Sequence, residues 1–171
     1  MTETLDPVLP EDIAQAVERV LDAAHDQELM LATAESCTGG LLAALLTDVP
    51  GRSHVFERGL VVYASQAKCD LLAIERKRVD SCGAVSRQIA IDMAEGALKS
   101  SRADIALSIT GYAGPPGKDE DGEEGLVHFG CARKNGVTLH REEHFGAIGR
   151  DGVRIAALRT ALNLFEEALS Q

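Results

Sequence analysis

Apolar residues recur along the chain in blocks whose spacing switches between helical and extended. Ile13, Val17, Val20, Leu21 and Ala24 recur at helical spacing behind Glu11 and Asp12, two acids that suit a helix N-terminus, and predict an amphipathic helix. Leu29 to Ala34 is a short apolar run that ends in Glu35, Ser36, Cys37 and Thr38. Gly39 and Gly40 then precede Leu41, Leu42, Leu45 and Leu46, so the segment reads as strand, tight loop, helix. A looser copy follows, with a strand over Gly59 to Tyr63, a turn at Ala64 and Ser65, and a helical stretch toward Ile74. After a break at Cys82 and Gly83, Ser86 is placed to cap a helix carrying Ile89, Ile91, Met93 and Leu98, and Asp104 to Ile109 makes a third strand.

Residues 111–125, GYAGPPGKDEDGEEG, combine glycine, proline and a dense acidic run, the composition of a long loop. Leu126 to Ala132 and Val137 to Phe145 flank Asn135-Gly136, a dipeptide suited to the positive φ angles of a two-residue hairpin turn. Ile155, Leu158, Leu162 and Phe165 give a closing helix over Arg154 to Leu169. Strands alternating with helices, then one hairpin, predict a three-layer α/β/α sandwich with a mixed sheet, a C-terminal β-hairpin and a closing helix. Residues 1–10 read as a tail and 11–171 as a single domain.

Composition narrows the classes. The chain has 171 residues, 45% of them hydrophobic and 26% charged, which excludes disordered, collagen-like and coiled-coil readings. A net charge of −10 leaves no broad basic field for nucleic acid phosphates, so no nucleic acid partner is expected. No apolar run reaches membrane-spanning length and the first residues lack signal-peptide character, so a cytoplasmic protein without a membrane partner is expected. Cys37, Cys69, Cys82 and Cys131 form no C-x-x-C pair and read as free thiols.

Candidate chemistry gathers at strand ends, where open α/β sheets bind ligands. In AESCTGG, 34–40, Ser36 and Thr38 supply hydroxyls, while Gly39 and Gly40 let backbone approach a ligand and expose helix N–H groups to a phosphate or an oxyanion. The alternative is that Ser36 and Thr38 only cap the helix. A serine hydroxyl needs a proton acceptor, and none of the five histidines lies in such a context. Lys68 sits in an apolar setting about one helical turn after Tyr63; buried, it loses charge more readily and accepts a proton, whereas taken on its own it reads first as a solvated helix lysine. Cys37, beside a helix N-terminus, is a competing nucleophile. In SITGYAGPPG, 108–117, Thr110 ends a strand and Gly111 and Gly114 can present amides to an anion, or simply make a turn.

Seven segments in order resemble the CinA C-terminal domain family: AESCTGG at 34–40, LTDVPGRS at 46–53, RGLVVYASQAK at 58–68, GAVS at 83–86, MAEGAL at 93–98, TGYAGPPG at 110–117 and the pair Arg150 and Arg154. The resemblance runs from about residue 11 onward, and the length leads to the expectation of the stand-alone type, which includes nicotinamide-nucleotide amidases. It implies hydrolysis of the carboxamide of nicotinamide mononucleotide to nicotinic acid mononucleotide and ammonia, with no metal and no cofactor. It further implies Ser36 as nucleophile, Lys68 as general base, Tyr63 as proton relay or orienting hydroxyl, and Ser53 and Thr110 as supporting hydroxyls. Thr38, Gly39 and Gly40 would hold the oxyanion, and Gly111, Gly114, Arg150 and Arg154 the ribose and phosphate. A homodimer or higher homo-oligomer is implied as well. The chain departs from the family pattern in the acidic stretch KDEDGEEGLV, in Tyr112 and in Gly149, which keeps open a second reading as a non-catalytic nucleotide-binding or regulatory module.

Overall fold

A computed structural model describes residues 10–118 and 120–171. Eleven elements follow in order: α1 (Glu11–Asp26), β1 (Leu31–Glu35), α2 (Leu41–Leu46), β2 (Phe56–Val61), α3 (Ser65–Leu72), α4 (Arg76–Cys82), α5 (Arg87–Lys99), β3 (Ile105–Gly111), β4 (Leu126–Arg133), β5 (Leu139–His144) and α6 (Arg150–Leu169). Nine of the ten residues read as an N-terminal tail lie outside the described residues; the tenth, Pro10, precedes α1 and accepts from the Ile13 amide at 2.9 Å.

The strands form one sheet in the order β2-β1-β3-β4-β5. β1 pairs in parallel with both β2 and β3, while β4 and β5 add antiparallel, so the sheet is mixed and the expected α/β architecture holds. Helices α1, α2 and α6 cover one face and α3, α4 and α5 the other. Alternation along β3 explains the layers: Ile105, Leu107 and Ile109 enter the core beneath α1 and α6, while Ala106 enters the core on the opposite side.

Small residues draw α5 close to the second face. A Cβ on Gly130 would lie 2.4 Å from Ala90 O, and Ser108 Oγ donates to that same carbonyl at 2.5 Å while accepting from Gly130 N at 3.1 Å. Ser86 caps α5 as its sequence predicts, its Oγ accepting from Ile89 N at 3.3 Å. The hairpin forms, but its connection is longer than the expected two-residue turn: β4–β5 pairing ends at Cys131 opposite Leu139, and of the dipeptide only Asn135 takes a positive φ, 60°.

Three elements differ from the sequence reading. α4 is a helix the apolar pattern does not announce, because Val79 is its one buried residue. β2 begins at Phe56, where pairing to Leu31 starts, and ends before Tyr63. α6 begins at Arg150, a full turn ahead of Arg154, since Arg150, Asp151 and Gly152 add no apolar position ahead of Val153. Among the described residues no helix is long and apolar enough to cross a membrane.

Candidate active site

The parallel strands bring the ends of β1, β2 and β3 side by side, and Ser36 follows β1 directly. Its amide continues the ladder by donating to Ile109 O at 2.9 Å, which ties the residue to β3. Glu35 and Ser36 then point to opposite faces, Glu35 toward α2 and Ser36 toward α3. Lys68, on the first turn of α3, reaches back over β2: Nζ donates to Ser36 Oγ at 3.2 Å, to Val62 O at 2.9 Å and to Tyr63 O at 3.4 Å.

Lys68 is 1% exposed, and its acceptors are two neutral carbonyls and a hydroxyl, with no carboxylate among them. Burial disfavours the ammonium and pulls the group down to about 8 from an ordinary 10.5, against the opposing pull of Cys37 and Cys69. When neutral, the amine keeps two N–H donors for the two carbonyls and turns its lone pair to the Ser36 hydroxyl. The pair can therefore move a proton from oxygen to nitrogen.

Cys37 lies in the core on the other face, and burial pushes its thiol up to about 11. A thiol held protonated and enclosed is a poor nucleophile, so the competing assignment loses its physical basis.

The turn that follows is held from inside by Glu35, which sequence reasoning passed over as the end of an apolar run. Glu35 Oε2 accepts from Thr38 Oγ1 at 2.7 Å, Gly40 N at 3.1 Å and Leu42 N at 3.1 Å, while Oε1 accepts from Ala43 N at 2.8 Å and Thr33 Oγ1 at 3.4 Å. Gly39 and Gly40 take φ 63° and 95°, conformations that favour glycine, and Gly39 N donates to Ser36 O at 3.1 Å. The Thr38 hydroxyl and the amides of Gly39 and Gly40, read as ligand donors, are thus engaged within the protein.

Arg150 and Arg154 lie one turn apart at the start of α6, Arg154 against the 36–40 turn and Arg150 against Gly114. Arg154 Nε donates to Cys37 O at 2.9 Å and a guanidinium nitrogen lies near Gly39, while Arg150 reaches Gly114, where an added Cβ would stand 3.0 Å from its guanidinium. Eight other arginines pair with an acid, yet neither of these two has a carboxylate partner among the described residues. Two guanidinium groups without an acid partner have the chemistry to receive an anion, although Arg87 and Arg133 likewise form no salt bridge among the described residues.

Other predicted residues stand differently. The side chain of Tyr63 points outward and the residue is 66% exposed, its carbonyl rather than its phenol meeting Lys68. Thr110 is buried with Oγ1 donating to Ala84 O at 2.8 Å, which pins the 83–86 segment beside the site. Gly111 ends β3 opposite Val127, where a side chain would run into Leu126 O. Ser53 precedes β2, near Leu31 rather than Ser36; five residues of strand put about 17 Å between the two ends. Parallel pairing places it at the wrong edge of the sheet to reach Ser36 in the same chain.

The model for the CinA C-terminal domain matches residues 13–169. The chain is 41% identical over 151 residues to "Nicotinamide-nucleotide amidohydrolase PncC" of Escherichia coli K12, covering 88% of this chain and 91% of that protein. It is 40% identical over 161 residues to a "CinA-like protein" of Leptospira borgpetersenii, covering 94% of this chain and 37% of that one, so it spans little more than a third of such longer relatives. Among solved structures, the competence/damage inducible protein CihA of Agrobacterium tumefaciens superposes with a TM-score of 0.90 at 44% identity, over 96% of this chain and 99% of that chain.

Proposed function

Because the chain belongs to the CinA C-terminal domain family, we propose that it is an amidohydrolase that converts nicotinamide mononucleotide to nicotinic acid mononucleotide and ammonia. The observation that carries the reading is the buried 3.2 Å contact of Lys68 Nζ with Ser36 Oγ; its similarity to a nicotinamide-nucleotide amidohydrolase over 91% of that enzyme supports the substrate.

Ser36 Oγ attacks the carboxamide carbon as its proton passes to Lys68 Nζ, leaving a tetrahedral oxyanion. Collapse breaks the C–N bond, and the proton on Lys68 goes to the departing nitrogen, which leaves as ammonia. A water then attacks the acyl ester, again giving its proton to Lys68, and the carboxylate product departs as Ser36 regains its hydrogen. The substrate phosphate lies between Arg150 and Arg154, with Gly114 allowing the close approach. Tyr63 contributes through its carbonyl, and Thr110 by holding the wall at Ala84. The reaction runs without a metal or cofactor, in the cytoplasm, where four free cysteines are at home, and in a homo-oligomer whose size sedimentation measures directly.

The test is ammonia release from nicotinamide mononucleotide by wild type, Ser36→Ala and Cys37→Ala. The reading expects loss of turnover by about 10⁴-fold or more with Ser36→Ala and retention with Cys37→Ala. A silent wild type that still binds the nucleotide selects the regulatory module instead.

A further inference from the structure

The turn that carries the nucleophile has an unusual support. Glu35 is 1% exposed and sits beneath it with five donors converging on two carboxylate oxygens. Among the described residues no lysine or arginine pairs with it, and every partner is an amide or a hydroxyl. A carboxylate buried without a cation is retained only where hydrogen bonds replace its water shell, and here they all come from residues 33–43.

Counting amides along 36–43 shows what this leaves open. Ser36 N goes to Ile109 O, Gly39 N to Ser36 O, Leu41 N to Thr38 O, and Gly40 N, Leu42 N and Ala43 N to Glu35. Apart from the contact of the Cys37 amide with its own sulfur, Cys37 N and Thr38 N have no acceptor among the described residues. These two amides follow the nucleophile directly, and Arg154 Nε on Cys37 O fixes the peptide that joins them.

We infer that Glu35 is a positioning residue for the reaction: as an internal anion it satisfies the start of α2 and holds the 36–40 turn so that the Cys37 and Thr38 amides, not those of Gly39 and Gly40, receive the oxyanion formed at Ser36. The inference rests on Ser36 being the nucleophile. It also explains why the substrate phosphate is directed to Arg150 and Arg154, since the N–H groups that would otherwise attract it already face a carboxylate.

Glu35→Gln tests this. A carboxamide puts an N–H₂ group where a donor already points, so the turn must shift while residue volume is kept. Two rates are measured on folded protein, with folding checked by thermal unfolding: phosphonylation of Ser36 by a fluorophosphonate probe, read by mass spectrometry, and hydrolysis of nicotinamide mononucleotide. The expected result is a fall of about 10-fold or more in both, carried by kcat more than by KM, because Arg150 stands at Gly114 rather than on the turn. A folded variant that labels and turns over within about twofold of wild type overturns the inference. Should Glu35→Gln not fold, Thr38→Val, which removes the 2.7 Å donor, is judged by the same rates and the same limits. If wild type labels at Ser36 but leaves the mononucleotide intact, the substrate reading fails, and the labelling rates alone decide the role of Glu35.

Discussion

Lys68 Nζ stands 3.2 Å from Ser36 Oγ across 32 residues of sequence, and the lysine is buried with no carboxylate partner. A lysine so placed is suited to act as a base because no carboxylate among its partners holds its proton. At pH 7 about one molecule in ten has the neutral amine, given a value near 8.

Activity should therefore rise with pH. The acid limb of the kcat/KM profile is expected to follow a single ionisation near 8, rising about tenfold per pH unit below it and levelling above. A profile flat between pH 6 and pH 9 counts against Lys68 as the base. Lys68→Arg, which keeps the charge but cannot lose it, is expected to be inactive.

Stability carries the same signature with its own sign. The folded value of Lys68 is lowered, so between about 8 and 10.5 the unfolded chain holds more protons than the folded one and stability rises with pH. Relative to Lys68→Met, wild type should gain about 2–3 kcal/mol between pH 7 and pH 10. Urea titrations of both proteins at several pH values measure the difference, in which other groups cancel. A difference that does not grow with pH is incompatible with a depressed lysine.

Arg150→Ala separates recognition of the phosphate from chemistry. Its guanidinium borders Gly114 and has no acid partner among the described residues, so its loss should raise KM for nicotinamide mononucleotide by about 10-fold or more with kcat changed little. The corresponding riboside, which lacks the phosphate, should be handled alike by wild type and variant. Equal losses on both compounds would mean that Arg150 acts elsewhere.

Gly130→Ala probes the layer packing. The new Cβ would stand 2.4 Å from Ala90 O and 2.9 Å from Ser108 Oγ, so α5 must move off the sheet. A loss of about 1–3 kcal/mol in chemical unfolding is expected, against little change for Gly136→Ala, whose nearest neighbour is 3.4 Å away.

Much of this architecture is local in origin and hence legible in the chain. Helical spacing from Ile13 to Ala24 and the Ser86 cap each specify their element through contacts within a few residues, and the structure shows both; Asn135-Gly136 marks the hairpin but not the length of its turn. α4 escaped because one buried residue makes no period, and the true start of α6 because Arg150, Asp151 and Gly152 precede its first apolar position. At the site, the order of motifs singled out Ser36 and Lys68. Residue types alone could not tell a buried lysine from a solvated one, since its value of about 8 arises from the helix and strand that enclose it.

The glycine-rich turn shows the same division. That 36–40 would be a strand-to-helix turn was legible from its paired glycines, and the positive φ that Gly39 and Gly40 adopt is open to them because they lack a Cβ. Which of its amides stay open depends on Glu35 folding underneath, and whether Ser53 meets Ser36 depends on the parallel pairing of β2 with β1. Sequence by itself determined every element but α4, and their order, because propensity, capping and periodicity act over short range. Tertiary structure alone decided burial, charge compensation and which strand ends meet, because those depend on distances between residues that the chain holds far apart.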